Sequence, residues 1–223
     1  LNLCKNITAT GGKTYIWSTS VATAIANVCP LATTKYYVTG TDKNGCVNKD
    51  SVTIKVNPLP IAKAGKDSAI CNGKNLRLLA SGGTKYNWSP VTGLTPPTNV
   101  SNPIAAPTVT TTYKVTVTDA KTCTATDDVL ITVNSLPTAT INGIDTVCSS
   151  KSTKFNVTLT GKPNWTITYN YDSNPSSIVN GVVSSPYTLS VTPPTAANTY
   201  NYNITAVIDG NGCRTSPGTG TVK

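Results

Sequence analysis

Three blocks of sequence recur in the same order along this chain, and that repetition limits its fold more than any other feature. Gly11-Gly12-Lys13-Thr14-Tyr15-Ile16-Trp17-Ser18 returns as Gly82-Gly83-Thr84-Lys85-Tyr86-Asn87-Trp88-Ser89. The segment from Thr33 to Thr39, followed by Asp42-Lys43-Asn44-Gly45-Cys46, returns as Thr110 to Val115, then Asp119-Ala120-Lys121-Thr122-Cys123. Val52-Thr53-Ile54-Lys55-Val56-Asn57-Pro58-Leu59-Pro60 returns as Val129-Leu130-Ile131-Thr132-Val133-Asn134-Ser135-Leu136-Pro137. A third, more divergent copy begins at Thr138, passes Cys148, Trp165 and Tyr200–Ile208, and closes on Asp209-Gly210-Asn211-Gly212-Cys213. The chain therefore reads as three modules, 1–57, 58–136 and 137–223. Leu1 falls partway through a module, and Thr221-Val222-Lys223 stops where the earlier copies continue. A piece of a longer array is expected.

Each copy reads as strands. Tyr15 and Trp17, like Tyr86 and Trp88, share one face at a period of two. The runs Tyr113–Val117 and Val129–Val133 are short and β-branched, and Gly, Pro and Asn punctuate them at intervals typical of sandwiches. No amphipathic helix is visible. The expected fold class is all-β: tandem immunoglobulin-like β-sandwich modules. Pro58-Leu59-Pro60 and Leu136-Pro137 form short, stiff joints between them. Trp17, Trp88 and Trp165 could stack on sugars, but a place in each sandwich core is the better fit.

A module of this size buries about 60% of its unfolded surface, so its core is marginal and cross-links matter. The seven cysteines are dispersed, with no CxxC pair to suggest zinc or redox chemistry. They read as disulfides and hence as an oxidising compartment. Position in the repeat suggests Cys71 with Cys123 and Cys148 with Cys213, each closing a long loop worth about 4 kcal/mol in the chain-entropy model. That pairing requires Cys71 and Cys123 to lie side by side. In the first module two pairings are open. Either Cys4 bonds Cys29 and Cys46 takes a cysteine upstream of the fragment, or Cys4 bonds Cys46 and Cys29 stays free. The repeat alignment favours the first.

Catalysis has little to build on. The chain has no His, and all nine of its acidic residues are Asp. General acid–base work and zinc or iron binding draw on His and Glu, and a nucleophilic Ser or Thr needs a base. No cofactor is implied. Asp42-Lys43-Asn44-Gly45 and Asp209-Gly210-Asn211-Gly212 resemble the start of a calcium loop, but each offers one carboxylate where calcium takes six to eight oxygens. A tight turn explains them without a metal. Asp127-Asp128 is the remaining candidate, against a solvated strand start. The net charge of +9 is spread over scattered Lys, with Arg77 and Arg214 the two arginines. Without a basic cluster interleaved with aromatics, nucleic acid is not an expected partner. No apolar run is long enough for a membrane span.

Gly82–Leu94 carries Gly-Gly-x-x-Tyr-x-Trp-Ser-Pro-x-x-Gly-Leu. Together with Asn102-Pro103 to Tyr113 and Pro60 to Cys71, it resembles the PKD-like or Ig-like repeats of the gliding-motility adhesin SprB and related giant cell-surface proteins exported by the type 9 secretion system. The likeness covers nearly the whole chain and is strongest over residues 58–137. The first module lacks the Pro-x-x-Gly-Leu loop and gains Cys29; the third departs further. The resemblance implies a non-catalytic segment of a secreted surface adhesin or filament, used in adhesion and gliding. Its partners would be neighbouring repeats, extracellular polysaccharide or an abiotic surface, and secretion machinery reached through regions outside this fragment. It also implies O-glycans at Asp-Ser/Thr followed by a small or apolar residue, which points to Ser51, Ser68 and Thr146. The competing expectation is a set of carbohydrate-binding or spacer modules from a secreted multidomain enzyme.

Overall fold

The computed structural model describes residues 4–148, 151–172, 174–196, 198–215 and 221–222. Among the described residues every regular element is a β-strand. The strands fall into three consecutive stretches, each forming two sheets, as tandem immunoglobulin-like sandwiches do.

In the first stretch β1 (Lys5–Thr8), β2 (Thr14–Trp17), β3 (Ile25–Val28), β4 (Thr34–Thr41) and β5 (Val47–Ile54) follow one another. One sheet is β1–β3 and the other β2–β4–β5, with antiparallel pairing throughout. Alternation decides which face is covered. In β4, Tyr36 and Val38 are buried and Tyr37 between them is exposed. These two join Ile7, Trp17, Ala26 and Val28 in one core.

The second stretch holds β6 (Ser68–Cys71), β7 (Leu76–Arg77), β8 (Lys85–Ser89), β9 (Leu94–Thr95), β10 (Ile104–Ala105), β11 (Thr111–Thr118) and β12 (Thr124–Asn134). Its sheets run β7–β10–β9 and β6–β12–β11–β8. β6 lies parallel to the C-terminal part of β12, with Ser68 opposite Ile131 and Cys71 opposite Asn134. The Pro-x-x-Gly-Leu motif has a concrete job here. Fully buried Tyr113 donates its hydroxyl to the Thr92 carbonyl at 2.9 Å. At Gly93 (φ +78°) a Cβ would stand 2.8 Å from the Tyr113 hydroxyl and 3.0 Å from Pro107 Cα, so this position accepts no side chain.

The third stretch comprises β13 (Ala139–Asn142), β14 (Thr153–Leu159), β15 (Trp165–Tyr171), β16 (Ser177–Val182), β17 (Tyr187–Val191), β18 (Tyr202–Ile208), β19 (Arg214–Thr215) and β20 (Thr221–Val222). Sheet β13–β14–β17 faces sheet β16–β15–β18–β19, and β20 also pairs with β18. β14 alternates without a break: Thr153, Phe155, Val157 and Leu159 are buried, the residues between them exposed. These apolar side chains share a core with Trp165, Ile167, Leu189 and Ile204.

By internal packing the chain divides into two compact units. One is 1–61 with 82–84 and 117–125; the other is 62–81 with 85–116 and 126–223. The module borders expected at 57/58 and 136/137 fall between β5 and β6 and between β12 and β13.

Candidate functional site

One element recurs in all three stretches with chemistry left over: a five-residue Asp-x-x-x-Cys turn joining β4 to β5, β11 to β12, and β18 to β19. The Asp side chain builds it. Asp42 Oδ1 accepts the N–H groups of Asn44 and Cys46, each at 2.8 Å. Asp119 Oδ1 accepts those of Lys121 (2.8 Å) and Cys123 (2.9 Å), and Asp209 Oδ1 those of Asn211 and Cys213, both at 2.9 Å. In every copy the Asp N–H donates to the Cys carbonyl at 3.0 Å. The residue before the cysteine is left-handed: Gly45 at φ +85°, Thr122 at +65° and Gly212 at +77°. This is a turn closed by a left-handed residue, with an Asp mimicking backbone. It leaves a cysteine at the start of the outgoing strand. The carboxylates expected to serve turns rather than calcium are engaged in this way.

The three cysteines so presented differ in state. Cys213 is fully buried and bonded to Cys71, at a Cα–Cα distance of 5.5 Å. Cys46 is an exposed free thiol and Cys123 a half-buried one. Cys4 is bonded to Cys29, as the pairing of Lys5 with Val28 in β1–β3 dictates one step further out. Cys148 is an exposed free thiol.

The expected Cys71–Cys123 and Cys148–Cys213 pairs are therefore not those formed, and the β6–β12 register says why. Cys71 stands opposite Asn134, and the Asn72 N–H donates to the Asn134 carbonyl at 2.8 Å. Cys123 precedes the other end of β12. Asn134 lies eleven positions further along the strand, about 36 Å. Cys71 instead sits where the chain leaves β12 for the third stretch. Within three residues that chain reaches Pro137, which approaches Gly161 together with Asp209: a Cβ on Gly161 would lie 3.1 Å from Pro137 Cβ and 2.9 Å from Asp209 Oδ2. The short proline joint thus carries the Asp209 turn, and Cys213 with it, to the end of β6. Asp209 is buried and its Oδ2 also accepts the Lys162 N–H at 3.2 Å, which ties the turn to its own sandwich.

The other predicted positions are placed as follows. Trp17, Trp88 and Trp165 are all buried, and their indole N–H groups donate to the carbonyls of Thr23, Val100 and Thr160 at 3.0, 3.0 and 2.8 Å. Cys4 and Cys29 are exposed, so Trp17 does not share its core with the cystine in the manner of antibody domains. Ser68 and Thr146 are exposed, and Ser51 is half-buried on β5. Asp127 and Asp128 are not brought together for a metal. Asp127 accepts the Ala64 N–H at 2.8 Å, whereas Asp128 faces Lys114 at 3.8 Å. Among the described residues no three His, Cys, Asp or Glu side chains gather as a metal set, and no helix is long and apolar enough to cross a membrane.

A cleft of about 770 Å³ opens along β5, between Lys5–Gly12 and Cys46–Ile54. Its counterpart strand, β12, carries β6 on its C-terminal part, whereas β5 ends its sheet with β4 as its only partner among the described residues.

No protein-family model and no curated protein matches the sequence. Solved structures that resemble the chain include a bacterial ice-binding adhesin at 12% identity, covering 94% of this chain and 83% of that one with a TM-score of 0.41. The insect immune protein hemolin is similar at 14% identity over 99% of this chain and 71% of its own, TM-score 0.37. Domains 22–24 of mouse cadherin-23 are similar at 13% identity over 94% and 85%, TM-score 0.33. All three are distant likenesses.

Proposed function

We propose that this chain is a non-catalytic repeat segment of a large, secreted cell-surface adhesin or filament that serves surface adhesion and gliding motility. The observation that carries the reading is the covalent joint between successive repeats. Cys71 lies in the second copy of the repeat and Cys213 in the third. A cross-link there does nothing for chemistry and much for an array that bears tension along its length. The modules would be 1–57, 58–136 and 137–223, stacked in series outside the cell. Such an array projects an adhesive tip from the cell toward extracellular polysaccharide or an abiotic surface. Secretion through the type 9 machinery would depend on regions outside these residues.

Two further features support exposure to the cell exterior: the disulfides, which persist in oxidising compartments, and the candidate glycan acceptors Ser68 and Thr146, both at the surface. With Ser51 they would carry O-glycans, adding mass to protein from its native source that the bare polypeptide lacks.

Antibody raised against the chain should label intact, unpermeabilised cells and reduce their attachment to glass. Labelling that appears only after lysis, or attachment that is unchanged, overturns the proposal. Specific micromolar binding of the chain on a glycan array would move it to the carbohydrate-binding modules of a secreted enzyme.

A further inference from the structure

We infer that successive repeats are joined by a ladder of disulfides: the cysteine ending the Asp-Ser/Thr segment near the start of one repeat bonds the cysteine of the Asp-x-x-x-Cys turn in the next. Cys148 and Cys46 are then open rungs, each taking a neighbouring repeat of this same kind. The inference rests on the tandem-array reading and names the covalent contact between its members.

One rung is closed, Cys71 to Cys213. Cys71 ends Asp67-Ser68-Ala69-Ile70-Cys71, and Cys148 ends the matching Asp145-Thr146-Val147-Cys148 of the third copy. Cys46 and Cys123 occupy the position of Cys213 in turns built from identical hydrogen bonds. The rule accounts for every cysteine but two. Cys4 and Cys29 form a bond of their own across β1–β3. The three thiols left free follow the same rule: Cys46 and Cys148 take neighbouring repeats, and Cys123 takes a cysteine that opens the copy before its own.

The Cys148 end has a seat for a partner. Cys148 lines a cleft of about 350 Å³ with Phe155, Pro193, Tyr200 and Tyr202. The Tyr202 hydroxyl there is buried and has no hydrogen-bond partner among the described residues. An incoming turn, dense in backbone carbonyls and N–H groups, supplies what that hydroxyl lacks.

Closure is ordinary exchange with a small-molecule disulfide as oxidant. The Cys148 thiolate attacks one sulfur of the small disulfide and releases one thiolate, leaving a mixed disulfide. The Cys46 thiolate of the neighbour attacks the Cys148 sulfur and releases the second. Two protein thiols are oxidised and one small disulfide is reduced to two thiols.

The test uses the full chain with Cys123→Ser throughout, and two variants: one adding Cys46→Ser, so that Cys148 is its free thiol, the other adding Cys148→Ser, so that Cys46 is. A size tag on one variant separates the products on non-reducing electrophoresis after equal mixing in a glutathione redox buffer. The ladder predicts the Cys148–Cys46 heterodimer in about fivefold excess over either homodimer, whereas random pairing gives about twofold. A twofold ratio, prevailing homodimers or monomer alone overturns it. So does disulfide mapping of the unmodified chain that recovers Cys71–Cys123 and Cys148–Cys213 peptides. Failure of the mixing experiment leaves the surface-adhesin reading standing, whereas mapped Cys71–Cys123 and Cys148–Cys213 peptides would also remove the joint that reading rests on; the antibody labelling of intact cells decides it separately.

Discussion

Pulling the oxidised chain by its two ends leaves most of it out of reach of the force. Cys71 and Cys213 are 142 residues apart in sequence, and β7 through β18 lie between them. Tension arriving at Cys71 crosses the sulfur bridge to Cys213 and bypasses everything within that loop. At about 3.6 Å per extended residue the 142-residue loop withholds about 510 Å of contour, and the 25-residue Cys4–Cys29 loop about 90 Å. Reduction should therefore lengthen the fully unfolded tether by about 600 Å. Had the cysteines paired within their own repeats, the loops from 71 to 123 and from 148 to 213 would withhold about 190 and about 230 Å, and the total gain would be about 510 Å. Optical-tweezers force–extension curves with handles at the termini, recorded with and without a phosphine reductant, resolve that difference of about 90 Å. With Cys4 and Cys29 both replaced by Ser, so that the short loop adds nothing, the gain should be about 510 Å; a gain near about 420 Å would then mean pairing inside each repeat, and no gain would mean that the 71–213 bridge is absent. Either refutes the reasoning. In the chain-entropy model the long loop is also worth about 5 kcal/mol, so the reduced second unit should unfold at a lower denaturant concentration.

Two substitutions probe the turns. Thr122 holds a left-handed backbone at φ +65° where both sister turns have Gly, a conformation costly for a β-branched residue. Thr122→Gly should stabilise the chain by about 0.5–1 kcal/mol after the added backbone freedom is offset; urea denaturation showing a loss would contradict this. Asp209→Ala removes the acceptor for the Lys162, Asn211 and Cys213 N–H groups in a buried turn and should cost about 3 kcal/mol. Asp42→Ala strips two N–H groups that water can reach and should cost about 1 kcal/mol. Equal losses in thermal melts would mean that burial does not set the difference.

The sequence by itself determined the kind of structure. Alternation in Thr34–Thr41 and Thr153–Leu159 can bury one face only as strand. Each copy's tryptophan falls on that face, and Asp with a left-handed residue ahead of Cys specifies a turn through local hydrogen bonds alone. Such features act over a few residues and can be read from a few residues. Cysteine pairing is different, because a disulfide depends on which ends of strands coincide in space. Only the tertiary structure placed β6 parallel to the far end of β12, so that Cys71 lay beside Asn134 and away from Cys123. Only the path through Pro137 carried the Asp209 turn to the same point. The repeat announced that equivalent cysteines exist, but a repeating sequence is silent on whether its members bond within a copy or across the joint. That choice is made by sheet register and linker length, which exist only once the chain has folded.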